Sequence, residues 1–378
     1  MKALIAAYAR SPQHFARKGA LAQVRPDTLA AQVVKGLLER TKLDPALIED
    51  VILGCAYPEG PQGSNLARIV AFLAGLPLEV GGMTVNRFCG SSMSVIHIAA
   101  AQIEAGIGDA YLCVGVESMS MVPQGGFNKS PNPELLGSFP DAYISMGQTA
   151  ENVAQRYKIS RHDQEVMAVD SHRKAAQARE QGRLRDEIVP IRLESGEIIS
   201  EDGCIRPSTS LEALASLKPA FAADGVVTAG TSSPLTDGAS AVLVSSEEFA
   251  ARHGLHPLAR IRAVATIGCD PAVMGIGPIP ATRKAMGRAG LDVSALDVVE
   301  INEAFASQSL ACIRDLALEP ATINLDGGGM ALGHPLGATG ARITGKAAAL
   351  LARNKARYAL ATQCIGGGQG IATVMQAL

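Results

Sequence analysis

The chain repeats itself, and this constrains its fold more than any single motif does. Residues 43–58, LDPALIEDVILGCAYP, align with residues 291–306, LDVSALDVVEINEAFA. Further on, TVN at 84–86 recurs as TIN at 322–324, each time ahead of a glycine-containing turn and a long run of small residues with helical spacing. DAYLCVG at 109–115 then has its counterpart in YALATQC at 358–364. A recurring order of elements means one supersecondary layout used twice. Within each copy, short apolar strand-like runs alternate with helical ones, the pattern of a parallel α/β sheet buried on both faces. With 378 residues there is enough chain for two packed cores.

Between the copies, residues 119–235 change character. They mix loops punctuated by Pro and Gly with polar amphipathic helices such as ISRHDQEVMAVDSHRKAAQAREQG at 159–182. The expected division is therefore a first half made of 1–118 plus 236–256, an inserted loop subdomain over 119–235, and a second half over 257–378. Clefts between pseudo-symmetric halves are frequent ligand sites.

Composition excludes several classes of function. The net charge is −2 with no basic block, so nothing calls for nucleic acid or an anionic membrane surface. The apolar N-terminal run stops at Arg10 and reads as a first strand, and no stretch reaches the roughly 18 apolar residues of a membrane span. Seven cysteines, at 55, 89, 113, 204, 269, 312 and 364, form no C-x-x-C pair and no metal-ligand cluster. An odd, widely spaced set fits a reducing compartment, so a cytoplasmic protein without a metal is expected.

Four places carry residues suited to chemistry. Cys89 stands where the strand-like MTVNRF passes into a helix, near unpaired N–H groups that favour a thiolate; a small buried hydrophobe is the competing reading. Cys55 and Cys113 lie inside apolar strands and read as core, and His97 as a packed helix residue. His334 lies in GGGMALGHPLGATG at 327–340, a turn-rich run that lets backbone approach a ligand, although a capping histidine would also fit. Cys364 opens CIGGGQG after an apolar strand, and glycines 366–368 suit either an oxyanion nest or a tight turn. Asn302 follows the strand-like DVVEI and suits either a polar ligand contact or a helix cap. The near-match to a phosphate loop ending at Lys346 lacks the hydroxyl residue, since Ala347 follows, and lies in a helical pattern.

Taken together, VNRFCGSSM around Cys89, NEAFA at 302–306, GHPLGATGAR at 333–342 and CIGGGQG at 364–370 resemble the signature segments of the thiolase family, in the family's order and over essentially the whole chain. The resemblance implies a thiolase fold: α/β, two duplicated five-layered αβαβα halves with an inserted loop subdomain. It implies Cys89 as nucleophile, His334 as the base that activates it, and Cys364 as the shuttle of protons to and from the reacting carbon. One oxyanion pocket would use His334 and a water held by Asn302, the other the N–H groups of Cys89 and Gly366. Coenzyme A would lie over the loop subdomain against Met146, Arg206, Ala229, Ser233 and Phe305. It would be a co-substrate, with no permanently bound cofactor.

The activity implied is thiolytic cleavage of 3-ketoacyl-CoA to acetyl-CoA and a shortened acyl-CoA, by a homodimer or homotetramer with room for a β-oxidation multienzyme partner. Ser145 stands where short-chain biosynthetic members carry a histidine, and Asn86-Arg87 resembles degradative ones, so 3-ketoacyl-CoA thiolase is preferred over acetoacetyl-CoA thiolase. A decarboxylating ketoacyl synthase would need a Cys-His-His set, which Asn302 and Cys364 do not supply. A non-catalytic acyl-CoA carrier would have no reason to keep Cys89, His334 and Cys364 together.

Overall fold

A computed structural model describes residues 1–378. The first half contributes β1 (Ala3–Arg10), α1 (Pro26–Thr41), β2 (Asp50–Gly54), α2 (Leu66–Ala74), β3 (Gly81–Val85), α3 (Ser91–Glu104) and β4 (Ala110–Ser118). The chain then leaves the sheet, forms α4 (Met146–Arg156) and α5 (Arg161–Glu180), and returns in β5 (Thr236–Ser246). The second half follows with β6 (Ala259–Gly268), α6 (Pro278–Ala289), β7 (Val298–Ile301), α7 (Ala306–Asp315), α8 (Leu336–Asn354), β8 (Tyr358–Ile365) and β9 (Gln369–Gln376).

The repeat seen in the sequence is a repeat of topology. In the first half the strands run β3-β2-β4-β5-β1, with β2 parallel to both β3 and β4, and β5 antiparallel to both β4 and β1. In the second half β7-β8-β9-β6 keep the same senses. The two sheets join edge to edge through a short antiparallel contact of β1 with β6, Leu4 opposite Arg260 and Ile5 opposite Ala259.

One expected equivalence is reduced. TVN closes β3, but TIN makes only an isolated parallel bridge between Ile323 and Val299. Asn324 is the cause: it takes a φ of +44°, and its amide bonds both the N–H and the carbonyl of Ile301, turning the chain away before a strand can extend.

Five layers are counted across the two halves together. Alternation along each strand sends side chains to opposite faces. Val51 and Leu53 of β2 thus pack outward with Leu29, Val33 and Leu37 of α1 and Val70 of α2, while Ile52 packs inward. The mirror outer layer is α6 and α7, with Ile279, Met286 and Cys312 against Val299, Ile301 and Leu360. The shared central layer is α3 and α8. They approach closely because Gly340 has no side chain: a Cβ there would lie 2.3 Å from the backbone nitrogen of Met93.

The central layer also holds charge. Lys346 of α8 pairs with Glu187 at 2.9 Å and Asp326 at 2.7 Å, and Arg10 pairs with Glu187 at 2.8 Å and Asp202 at 2.7 Å, all buried. Glu187 and Asp202 come from the segment between β4 and β5, so these pairs fasten that segment to the sheet and to α8. No helix is long and apolar enough to cross a membrane.

Candidate active site

Cys89 sits in a tight turn between β3 and α3, within the short 3-10 segment Phe88–Gly90. Phe88 has a φ of +42°, an uncommon and strained value for an aromatic residue. The turn is held from several sides. Asn86 Oδ1 accepts from the Phe88 N–H at 2.8 Å, and Ser91 Oγ donates to the Phe88 carbonyl at 2.6 Å while accepting from the Arg87 N–H at 2.8 Å. From the other half, Gln363 Nε2 donates to the Cys89 carbonyl. The sulfur is thereby presented at the join between the halves.

The expectation of a resting thiolate at the helix start is not met. Burial pushes the Cys89 thiol up to about 11, although the N–H groups of Gly366 and of Cys89 itself both face the sulfur and pull the other way. At neutral pH the thiol is protonated, so attack requires a base. Those two N–H groups are the ones the thiolase resemblance assigns to an oxyanion pocket. Gly366 is buried, whereas Gly367 and Gly368 take φ values of +78° and +80°. The tight turn and the N–H presentation are therefore both real, at different residues.

His334 is 4% exposed, and burial first, then the positive charge of Arg342, lowers it to about 3. It is a neutral imidazole. Its Nδ1 lies 2.7 Å from Thr339 Oγ1, and Asn302 Nδ2 lies 3.3 Å from its Nε2. Asn302 is no helix cap, since α7 begins four residues later with Phe305 at its N-cap. Its backbone N–H bonds the carbonyl of Thr362 on β8, and its buried Oδ1 has no protein donor. A buried amide oxygen in that condition suits a water or ligand hydroxyl. Glu303 sets the loop beneath: its carboxylate accepts from Ser171 Oγ, Asn324 Nδ2 and the Met330 N–H.

Cys364 is buried near the end of β8, its thiol raised well above the ordinary value by burial and then by the charge Cys89 would carry. It packs in one cluster with Ala150, Val227, Met274, Ala304 and Phe305, and Met146 and Val226 close the cluster's side. The sulfur of Met146 would stand 3.4 Å from a Cβ at Gly366. Cys89 packs against a neighbouring cluster containing Met119 and Leu336, the latter two residues beyond His334.

The proposed coenzyme contacts divide. Phe305 bridges to Ser232, and Ser233 donates its N–H to the Ala304 carbonyl at 2.9 Å, so Ser233, Phe305, Met146 and Cys364 form one neighbourhood. Ala229 lies in the 3-10 turn Ala229–Thr231 after Val227, held by a capping box of Thr228 and Thr231. Arg206 makes its contacts elsewhere, with His172 on α5 and over the ring of Phe15. Cys55 and Cys113 are core, as expected, and His97 reaches Thr373 Oγ1 at 2.8 Å.

Sequence reasoning missed three residues. Phe221 is 43% exposed and stacks edge-on against Phe305, ring centroids 5.8 Å apart at 85°. Tyr57, raised to about 12 by burial and then by Cys89, stacks at 5.9 Å on Phe88 beside the nucleophile. Glu117 is buried at the end of β4, and its carboxylate gathers N–H donors from Ala56, Tyr57, Gln62 and Gly337, tying the cleft floor of one half to the start of α8. Only Glu117 had a sequence signal, a lone carboxylate ending an apolar strand.

A duplicated α/β scaffold that sets Cys89 beside the Gly366 N–H and close enough to Cys364 to shift its thiol, with a neutral His334 against Asn302, fits a protein class suited to cysteine-centred acyl transfer. Comparison with known proteins agrees at both ends of the chain. Residues 3–248 match the thiolase N-terminal domain profile, and residues 255–377 match the thiolase C-terminal domain profile. The chain is 48% identical to a 3-ketoacyl-CoA thiolase of Saccharophagus degradans, over 99% of this chain and 97% of that one. It is 44% identical to a 3-ketoacyl-CoA thiolase of Bacillus subtilis and 48% identical to one from Shewanella sp. (strain MR-7), each over 99% of both chains. The chain belongs to the thiolase family.

Proposed function

We infer that this protein is an acyl-CoA C-acyltransferase that uses coenzyme A to cleave 3-ketoacyl-CoA into acetyl-CoA and an acyl-CoA shortened by two carbons. Full-length similarity to 3-ketoacyl-CoA thiolases supports the reaction. What supports the residue roles is the Gly366 N–H at the Cys89 sulfur, the influence of Cys89 on Cys364, and the His334–Asn302 contact, with the Asn302 N–H bonded to Thr362 two residues before Cys364.

Each residue type answers a chemical need. Cys89 gives its proton to His334 Nε2, and the thiolate attacks the C3 ketone. The C2–C3 bond then breaks, its electron pair going to an acetyl-CoA enolate that takes the Cys364 proton at C2. The Cys364 thiolate next removes the thiol proton of incoming coenzyme A, whose sulfur attacks the acyl-Cys89 thioester. Cys89 leaves and recovers its proton from His334. Two sulfurs are needed because one holds the acyl group while the other moves protons. The N–H groups of Cys89 and Gly366, and the His334–Asn302 side, stabilise the oxyanions, each donor contributing about 3 kcal/mol.

In this reading residues 119–235 act as the coenzyme A subdomain and supply Met146, Arg206, Ala229 and Ser233, while the second half adds Phe305. Ser145, where short-chain members carry histidine, caps α4 through its contact with the Gln148 N–H. It leaves no imidazole there, which favours substrates beyond acetoacetyl-CoA. The odd, dispersed set of cysteines supports a cytoplasmic setting, and the resemblance supports a homo-oligomer serving β-oxidation. The test is cleavage of acetoacetyl-CoA and of a longer 3-ketoacyl-CoA, each with and without free coenzyme A. Coenzyme-dependent turnover, faster on the longer substrate, is expected. Turnover without free coenzyme A, or binding without turnover, would sink the assignment.

A further inference from the structure

His334 has one polar neighbour whose hydrogen bonding decides which ring nitrogen carries its proton, Thr339. Thr339 occupies the first turn of α8, and its hydroxyl donates back to the carbonyl of Pro335, four residues earlier, at 3.0 Å. Helical threonines commonly satisfy their hydroxyl in this way. A hydroxyl has one proton, so toward His334 Nδ1, 2.7 Å away, Thr339 Oγ1 acts as acceptor. Asn302 does not choose between the ring nitrogens, since its Nδ2 lies 3.3 Å from Nε2 and 3.5 Å from Nδ1. Thr339 alone sets the arrangement, a proton on Nδ1 and a bare lone pair on Nε2. All the groups concerned are buried, so no bulk water competes to reverse it.

We propose that Thr339 is a positioning residue that holds His334 in the Nδ1–H tautomer, keeping Nε2 free to take the Cys89 proton. This deepens the function proposed above and rests on it for its catalytic consequence. With Nε2 bare, the imidazole acts only as a base before acylation. Once the thiol proton has moved, the new Nε2–H becomes a donor aimed into the cleft, where the oxyanion forms. The same proton transfer thus activates the nucleophile and completes the pocket that stabilises its product. An imidazole in the other tautomer would present a donor at rest and have no lone pair for the thiol proton. Removing the Thr339 oxygen lets both tautomers populate and lowers the competent fraction.

Two variants and two readouts test this. Thr339→Val keeps shape but removes the acceptor, and Thr339→Ser keeps the hydroxyl. With histidine labelled at both ring nitrogens, and the signals assigned by their loss in His334→Asn, long-range ¹H–¹⁵N spectra at neutral pH report the tautomer without any turnover. The wild type and Thr339→Ser are expected to show protonated Nδ1 and bare Nε2, and Thr339→Val a mixture. In coenzyme-dependent cleavage, Thr339→Val should lose about 10- to 100-fold in kcat, with KM for coenzyme A changed less than about twofold, while Thr339→Ser stays within about threefold of wild type. A wild-type spectrum showing protonated Nε2 overturns the proposal even if Thr339→Val proves unstable. So does a folded Thr339→Val with wild-type kcat, or a Thr339→Ser as impaired as the valine variant. Absence of thiolytic turnover in a wild type that shows the Nδ1–H form would count against the function and leave the tautomer assignment standing.

Discussion

The two central helices, α3 and α8, are counterparts in the duplication, yet they have diverged into different instruments. Helix α3 follows Cys89 and buries an apolar face of Met93, Val95 and Ile96. Helix α8 follows His334 and buries Arg342 and Lys346 among its small residues, with Lys346 paired to Glu187 and Asp326. One copy carries the proposed nucleophile ahead of a plain packed rod. The other follows His334, the proposed base, and also anchors Glu187 of the segment between β4 and β5. Duplication supplied two helices packed against one another, and divergence of a few residues gave them different surroundings.

The sharpest way to break this comparison is to remove one sulfur from each half. Cys89→Ala should lower coenzyme-dependent cleavage by about 10³-fold or more and abolish acyl-enzyme in mass spectra of the quenched protein. Cys364→Ala should cost about 10²- to 10³-fold in kcat, because a general acid is lost and the nucleophile remains. Equal losses with no acyl-enzyme in either variant would remove the division of labour between the halves.

A second prediction compares the helix bodies. Lys346→Met keeps the length of the side chain but leaves Glu187 and Asp326 short of a buried cation, and should destabilise by about 3 kcal/mol in chemical denaturation. Met93→Leu at the matching depth of α3 is a volume-conserving change and should cost less than about 1.5 kcal/mol. Similar costs for the two would mean that the charges of α8 add nothing to how the segment between β4 and β5 is held.

The smallest effect expected is on the titration of the nucleophile. Burial raises Cys89 to about 11, so its thiolate fraction in the free enzyme should climb about tenfold per pH unit from neutrality. Iodoacetamide labelling of Cys89, followed by peptide mass spectrometry, should rise with that slope up to about pH 11. A plateau below pH 9 would restore the thiolate expected from the helix start alone.

Much of the fold was legible because it is written twice. The alignment of 43–58 with 291–306 marks matching 3-10 turns, Pro45–Leu47 and Val293–Ala295, each leading into a strand, β2 and β7. The same reasoning overreached at TIN, where a single asparagine bonding Ile301 changed a strand into a bridge. At the candidate site, Cys89, His334, Asn302 and Cys364 stood out by type and by the turns around them, each with a competing reading, and only the resemblance to thiolases gave them roles. Phe221 and Tyr57 did not, because an aromatic in a loop carries no periodic signal until something stacks on it.

The sequence alone determined the duplication, the order of the elements and which side chains have reactive atoms, since these follow from local pattern and residue chemistry. The tertiary structure decided the burial of Cys89 and His334 and the company each keeps. Desolvation, and the choice between one hydrogen-bond partner and another, depend on residues hundreds of positions apart meeting in one interior.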